Sequence, residues 1–325
     1  MSTTLEPESA TESISANVGN AVSHVRQNFI ACRIKFKWFG TSKTLTTSQK
    51  SQAAESFGAD GRAISAAKRL IDTKHECYRA LTSIKSQVNK YWRESSLPYP
   101  EPGIRLIRND AVDEFNSSLI SYRCELGNAV LTLNDHYAEL KEAARQRLGS
   151  LFDAADYPSS LTDEFEVNWD FPSVEAPDYL RRLSPEIYQQ ECERVQSQFT
   201  QAVSLAEQMF QEQLTELVER LVERLSADKS GKPKTFRDST ITNLDDFFAR
   251  FRQLNIGSNE ELEQLVERAQ SIVHGVEPQQ IRDNDSLRQQ IATQMSVVQS
   301  SLDGLVVDRP RRNIIRANRN NNAED

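Results

Sequence analysis

One stripe of apolar residues restricts what this chain can fold into more than any other feature. Phe115, Leu119, Tyr122, Leu126, Val130, Leu133, Tyr137, Leu140, Ala144 and Leu148 follow one another at steps of 4, 3, 4, 4, 3, 4, 3, 4 and 4. Their mean spacing, about 3.7 residues, suits one nearly straight α-helix better than a strict heptad supercoil. Gly149 stands where a C-terminal cap is useful. A second stripe, Phe199, Val203, Ala206, Phe210, Leu214, Leu217, Leu221 and Leu225, steps 4, 3, 4, 4, 3, 4 and 4. Its last turns carry Leu214, Leu217, Val218, Leu221, Val222 and Leu225 over roughly 140°, wider than the seam of a two-stranded zipper. Two long helices with matching periods and broad apolar faces are expected to pack on each other within one chain.

The rest of the chain extends this reading. Ser184-Pro185-Glu186 is an N-cap followed by proline at the first helical position, so the second long helix should run from there to about Ala227. Ala63, Ala67, Leu70, Cys77, Leu81, Ile84, Val88 and Tyr91 predict a third helix over 62–92, with "GADG" as its leading turn and "SSLPYPEPG" as its stop. Shorter helices are expected at 243–255 and 259–273, capped by Asn243 and Asn259, and a Gln- and Ser-rich one at 284–302. The stretch "SADKSGKPKTFRDST" reads as a loop.

Strands are few. In "FIACRIKFKWFG", Ile30, Cys32, Ile34, Phe36 and Trp38 alternate with Ala31, Arg33, Lys35 and Lys37, a period of two with one apolar and one basic face. The basic face offers a strip for a polyanion, but an amphipathic edge strand kept soluble by its cations is the plainer reading. "IRLIRN" and "FEVNWDF" predict two further strands. Only 11 Gly and 11 Pro occur, too few for a β protein with a turn every ten residues or so. The expected fold is therefore mainly α, an elongated bundle of long antiparallel helices with short strands at about 29–39, 103–107 and 164–170. Its expected parts are a disordered acidic leader (1–24), a helical domain with a small β element (25–275), and a weak helix with a basic Arg- and Asn-rich tail (276–325).

No known chemistry emerges. "KSGKPKT" has Pro233 where a phosphate-binding loop needs Ser or Thr, and "KHECYRA" has no second histidine one turn after His75-Glu76. His24, His75, His136 and His274 are far apart in sequence and read as surface or helix-flank residues. Cys32, Cys77, Cys124 and Cys192 form no C-x-x-C pair and read as reduced structural thiols. Asp245-Asp246 and Glu260-Glu261 fall in expected first turns, where they complement the helix dipole. No catalytic, metal or cofactor residue is assigned, and no cofactor is expected.

The formal net charge of -8 argues against a nucleic-acid-binding surface spread over the whole chain. Local basic groups remain in Arg33, Lys35 and Lys37, and in the tail residues Arg309, Arg311, Arg312, Arg316 and Arg319. These are the candidate contacts for a polyanion or an acidic partner. With no basic n-region, no apolar leader and no long apolar run, a soluble, cytoplasmic protein is expected.

"FKWFGTSKTL", "SLPYPEPGIRLI", "RLGSLFDAADYPS" and "FEVNWDF", taken in order, resemble landmarks of an uncharacterised family of phage and mobile-element proteins over about residues 25–275. Genes of that family lie beside those of MoxR-like AAA+ ATPases and CobT-like von Willebrand A proteins. The resemblance implies a helical accessory protein acting with such partners, without catalytic residues to carry over. This chain lacks both the Walker motifs and the D-x-S-x-S motif of those partners. The expected function is thus a non-enzymatic scaffold or adaptor. The alternatives are a nucleic-acid-associated phage protein using the basic tail, or a structural virion component.

Overall fold

The computed structural model describes residues 8–226 and 236–307. These are mainly helical, 68% in helices and 9% in strands, with a small antiparallel sheet. They divide into two compact units, one of residues 19–205 and one of 206–226 and 236–307 with 8–18. The sequence reading places a single helical domain over 25–275 instead. The division falls inside two unbroken helices, at Val18/Gly19 in the first helix and at Leu205/Ala206 in the long one that starts at Pro185.

The first unit is organised by its sheet. Strand β1 (Phe29–Lys37) is antiparallel to β5 (Arg105–Arg108) through Phe29–Cys32, and to β6 (Glu166–Asp170) through Arg33–Lys37. With β4 (Leu97–Pro98) outside β5, the order is β4-β5-β1-β6. All three expected strands are present. The position of β1 differs from expectation: it is an interior strand, its two halves paired on opposite sides. The half that carries Arg33, Lys35 and Lys37 pairs with β6 alone.

The alternation in β1 holds on one face only. Cys32 and Ile34 join Ile107 and Val167 in the core, and Ile30, Phe36 and Trp38 pack against them. On the other face Phe29 and Ala31 are buried while Lys35 is exposed. That face changes from apolar to charged along the strand.

Helix α3 (Glu76–Glu94) and the pair α4 (Val112–Asp135) and α5 (Tyr137–Leu148) supply the rest of this core. Leu81 and Val88 of α3 meet Phe115, Leu119, Leu126, Val130, Leu133, Tyr137, Leu140 and Ala144. Tyr91 stacks on Phe115 with centroids 5.6 Å apart. The expected single helix is interrupted at His136, where α4 ends and α5 begins. The side-chain oxygen of Asn134 accepts hydrogen bonds from the Leu161 amide (2.9 Å) and the Ser160 hydroxyl (3.0 Å), holding the following loop at the break. Gly149 adopts φ +52° after α5, the cap position expected. Against expectation, the α4–α5 stripe is covered by α3 and the sheet rather than by the second long helix. An apolar face carries no label for its partner.

Two segments correct the sequence reading further. The expected helix over 62–92 begins only at Glu76. Before it, β3 (Ala67–Arg69) pairs with β2 (Ser42–Thr44), and Leu70 and Ile71 enter the core as extended chain. A turn at Asp72, whose carboxylate accepts from the Lys74 amide at 2.9 Å, interrupts the helical spacing there. Between β2 and β3 lies α2 (Thr47–Glu55), started by a Thr46/Gln49 capping box. Only Ala54 of it is buried, so it shows no apolar period. The expected disordered leader is helical from Glu8 in α1 (Glu8–Asn28), whose Ala21, Val22 and Val25 are buried at helical spacing.

After the short α6 (Leu180–Leu183) comes α7 (Pro185–Leu225), which runs through both units as the Ser184-Pro185 start predicts. In the second unit Phe210 of α7 meets Phe251 and Phe247 of α8 (Ser239–Leu254) edge-on, at 5.0 and 6.3 Å. Helix α9 (Glu260–Val273) is capped by Asn259, whose side chain accepts from the Leu262 amide at 2.9 Å. Helix α8 starts earlier than its expected Asn243 cap, at Ser239. The weak helix at 284–302 is α11 (Asp285–Val307), with Ile291, Met295, Val298 and Leu302 buried at steps of 4, 3 and 4, and it is preceded by a short helix that the sequence reading did not expect, α10 (Pro278–Asp283). Arg288 closes the C-terminus of α7, its guanidinium donating to the carbonyls of Leu225 (2.9 Å) and Arg224 (2.6 Å).

The Leu119 side chain is fully enclosed, so Leu119→Ala is expected to lower unfolding free energy by about 2–5 kcal/mol. The exposed Ser121→Ala on the same helix should stay within about 0.5 kcal/mol. Urea denaturation of both variants checks the contrast.

Candidate functional site

The expected polyanion strip is the charged half of the outer sheet face. Register sets Arg33 opposite Asp170, Lys35 opposite Asn168 and Lys37 opposite Glu166. Arg33 grips Asp170 with two parallel hydrogen bonds, Nε to Oδ1 at 3.0 Å and Nη2 to Oδ2 at 2.9 Å. Lys35 Nζ reaches the same Oδ2 at 2.8 Å. Lys37 Nζ donates to the Asp163 carbonyl. Hydrogen bonds from Arg33 and then Lys35 hold the Asp170 carboxyl at about 2, well below its ordinary value. Three cations thus share their face with two carboxylates, Asp170 and Glu166. The strip is an ion-pair network, not a row of free cations awaiting phosphate. The other candidate contacts, Arg309, Arg311, Arg312, Arg316 and Arg319, lie outside the described residues.

On the inner face, aromatic rings collect where the strands leave the sheet. Trp38 meets Phe165 edge-on at 5.0 Å, and its indole nitrogen donates to the Tyr78 hydroxyl at 3.1 Å. The Lys85 ammonium lies over Trp38 (4.4 Å) and Phe36 (5.1 Å), while Arg123 covers Trp169 at 4.9 Å. Their π faces are already taken by cations of the chain itself, so these aromatics are no open stacking platform for bases.

Two polar clusters were not legible in the sequence. Asp156, whose side chain is 1% exposed, pairs with Lys68 at 2.6 Å and with Lys43, and Lys68 also donates to the Leu151 carbonyl at 2.7 Å. Both lysine contacts hold the Asp156 carboxyl below its ordinary value. This cluster ties the β2–β3 hairpin to the loop after α5, and every oxygen of the carboxylate is engaged by the chain. His75 and His136, far apart in sequence, come together with ring centroids 5.7 Å apart. They mark the start of α3 and the α4–α5 break, so each is the helix-flank residue expected. Among the described residues no group of three or more His, Cys, Asp or Glu side chains is placed to hold a metal ion.

Cys32 is buried in the core, accepts from the Trp92 indole at 3.1 Å, and has its thiol pushed up to about 11 by burial. That agrees with a structural thiol rather than a nucleophile. In the second unit a groove of about 330 Å³ lies along Glu261, Gln264, Leu265, Arg268, Ser301 and Leu305. It gathers one acid and one base without a convergent set of donors.

The first unit also keeps large apolar side chains in water. Phe171 (41% exposed), Tyr179 (64%), Leu183 (76%) and Ile187 (49%) stand at the surface within residues 171–187, around α6 and the start of α7. Tyr179, Leu183 and Ile187 are four residues apart, flanked by Arg181 and Arg182. Sequence reasoning passed over this stretch because prolines at 172 and 177 broke its pattern. No helix among the described residues is long and apolar enough to cross a membrane. Compared with family models, with curated proteins and with solved structures, the chain matches none.

Asp170 supplies two tests. Its folded-state carboxyl lies below the roughly 3.9 of an unfolded aspartate, so its stabilisation is present above about pH 4 and is lost as pH falls toward 2. The thermal midpoint of the protein should exceed that of Asp170→Asn at neutral pH, and the two should converge by about pH 2. Freed of their acid, Arg33 and Lys35 should also make Asp170→Asn elute from heparin at higher salt than the unaltered chain. At the second cluster, Asp156→Ala strands the buried Lys68 and should cost about 2–3 kcal/mol, less than a deep pair because the Lys43 side is open to solvent; urea denaturation reads this directly.

Proposed function

We propose that this chain is a non-enzymatic helical scaffold or adaptor that binds other proteins through apolar side chains kept at its surface. The observation that carries the proposal is the exposed set Phe171, Tyr179, Leu183 and Ile187. Keeping large apolar groups in water forgoes about 1.5–3 kcal/mol for each that could be buried, and such patches on soluble domains commonly meet another protein. The charged features point elsewhere. Asp170 engages Arg33 and Lys35, which removes the main support on β1 for nucleic-acid binding.

The resemblance of the 25–275 landmarks to the phage and mobile-element family suggests the partners, a MoxR-like AAA+ ATPase and a von Willebrand A protein, in the cytoplasm of the host cell. ATP use would then belong to the ATPase. Flanking Arg181 and Arg182 favour an acidic rim around an apolar socket on the partner.

The test is co-purification with the neighbouring ATPase and von Willebrand A protein, co-expressed from the source genome. The unaltered chain should retain at least one of them, while Leu183→Asp with Ile187→Asp should lose it about tenfold or more at unchanged helical circular dichroism. Equal retention by both forms, or by neither, would sink the proposal.

A further inference from the structure

Helices α3 and α4 run antiparallel. Tyr91 near the end of α3 stacks on Phe115 near the start of α4, and at the other end of the pair the rings of His75 and His136 lie 5.7 Å apart, centre to centre. His75 is half-buried and the His136 side chain is 45% exposed, so the two imidazoles stand where the core meets solvent.

One nitrogen there is unprovided for. Nδ1 of His75 is shut off from solvent and has no hydrogen-bond partner. His75 immediately precedes α3, yet its side chain makes no capping bond to that helix. Capping therefore does not account for the ring, and a buried polar atom without a partner calls for a proton donor or an ion.

His136 is set for the same task. Its Nδ1 stands 3.5 Å from the Glu139 carboxylate. A carboxylate at that place holds the ring proton on Nδ1 and leaves the Nε2 lone pair for an ion, the usual support of a metal-binding histidine. Glu76 and Glu139 lie in the first turns of α3 and α5, where their negative charge offsets the positive helix ends that would otherwise repel a cation.

The spacing of the rings selects among metals. A zinc ion about 2.0–2.1 Å from an imidazole nitrogen is about 3.2 Å from the ring centre. Two rings sharing one ion then have centres about 5.2 Å apart at a tetrahedral angle, about 4.5 Å at a right angle and about 6.4 Å in line. The observed 5.7 Å is nearest the tetrahedral value, the geometry of zinc rather than of square-planar copper or nickel. We infer that His75 and His136 form a zinc-binding pair, with Glu139 orienting His136 and water filling the remaining positions. With two protein ligands the site takes zinc reversibly, and the ion fastens the start of α3 to the α4–α5 break. The site shares no residue with the adaptor surface at 171–187, and either can hold without the other.

Calorimetric titration of the full chain, first stripped of metal, with zinc chloride from ~1 µM to ~1 mM reads the site. One saturable equivalent per chain should bind, and zinc should raise the thermal midpoint, as binding to the folded state requires. His75→Ala and His136→Ala, made separately, should each weaken binding about tenfold or more and abolish the zinc-dependent rise, while the exposed His274→Ala changes neither. Glu139→Ala, which removes the orienting carboxylate, should also weaken binding about tenfold. Metal-free circular dichroism should be the same for all forms; His75→Gln and His136→Gln, closer in size and polarity, repeat the test if alanine disturbs the fold. Absence of saturable binding would overturn the inference. So would zinc binding that survives loss of either histidine, which would place the ion on surface carboxylates.

Discussion

The apolar face of β1 is the surface on which the unit of residues 19–205 depends. Cys32 and Ile34 project from the middle of the sheet, and onto them come Leu81 and Val88 of α3, Phe115 and Leu119 of α4, and Ile107 and Val167 of the flanking strands. Neither helix can bury its stripe alone, and a short sheet of this kind is not stable without something on its face. Each enclosed Leu, Ile or Phe contributes about 1.5–3 kcal/mol, whereas an exposed ion pair contributes about 0–1 kcal/mol. The side chains under the helices therefore decide the architecture. The clamp of Arg33 and Lys35 on Asp170 only reinforces a register already set by alternation.

That ranking also separates the surface features. Where the chain presents opposite charges in register across two strands, they satisfy each other and leave little field for a polyanion. Where it presents Lys85 or Arg123 beside a half-buried aromatic, cation and ring cover one another. Apolar groups have no such recourse on an isolated chain. Leu183 and Leu131 stay exposed, with nothing among the described residues covering them.

Much of this was readable from residue order. The α4–α5 stripe, the long α7 with its Ser184-Pro185 start, the Asn259 and Gly149 caps, and the three strands of the sheet all express periods of 3.6 or 2 that local physics enforces. The failures have local causes too. Leu70 and Ile71 match a helical period by coincidence, because extended chain entering a core also needs adjacent apolar residues. Helix α2 is polar almost throughout and rests on its capping box instead of a stripe. The His75–His136 pair and the Lys43–Lys68–Asp156 cluster join residues between 61 and 113 positions apart, a separation that no periodicity can bridge.

From the sequence alone followed the mainly helical class, most helix faces and the absence of a recognisable chemical motif, since each depends on neighbours within a few residues. The tertiary structure decided the partners of those faces: that α4 lies on α3 and the sheet, that β1 is interior, that Asp170 neutralises the basic strip, and that the unit boundaries run through α1 and α7. The physical reason is that hydrophobic burial has no direction of its own. A stripe records that a helix must be covered; only the folded chain shows by what, and which stripes remain uncovered.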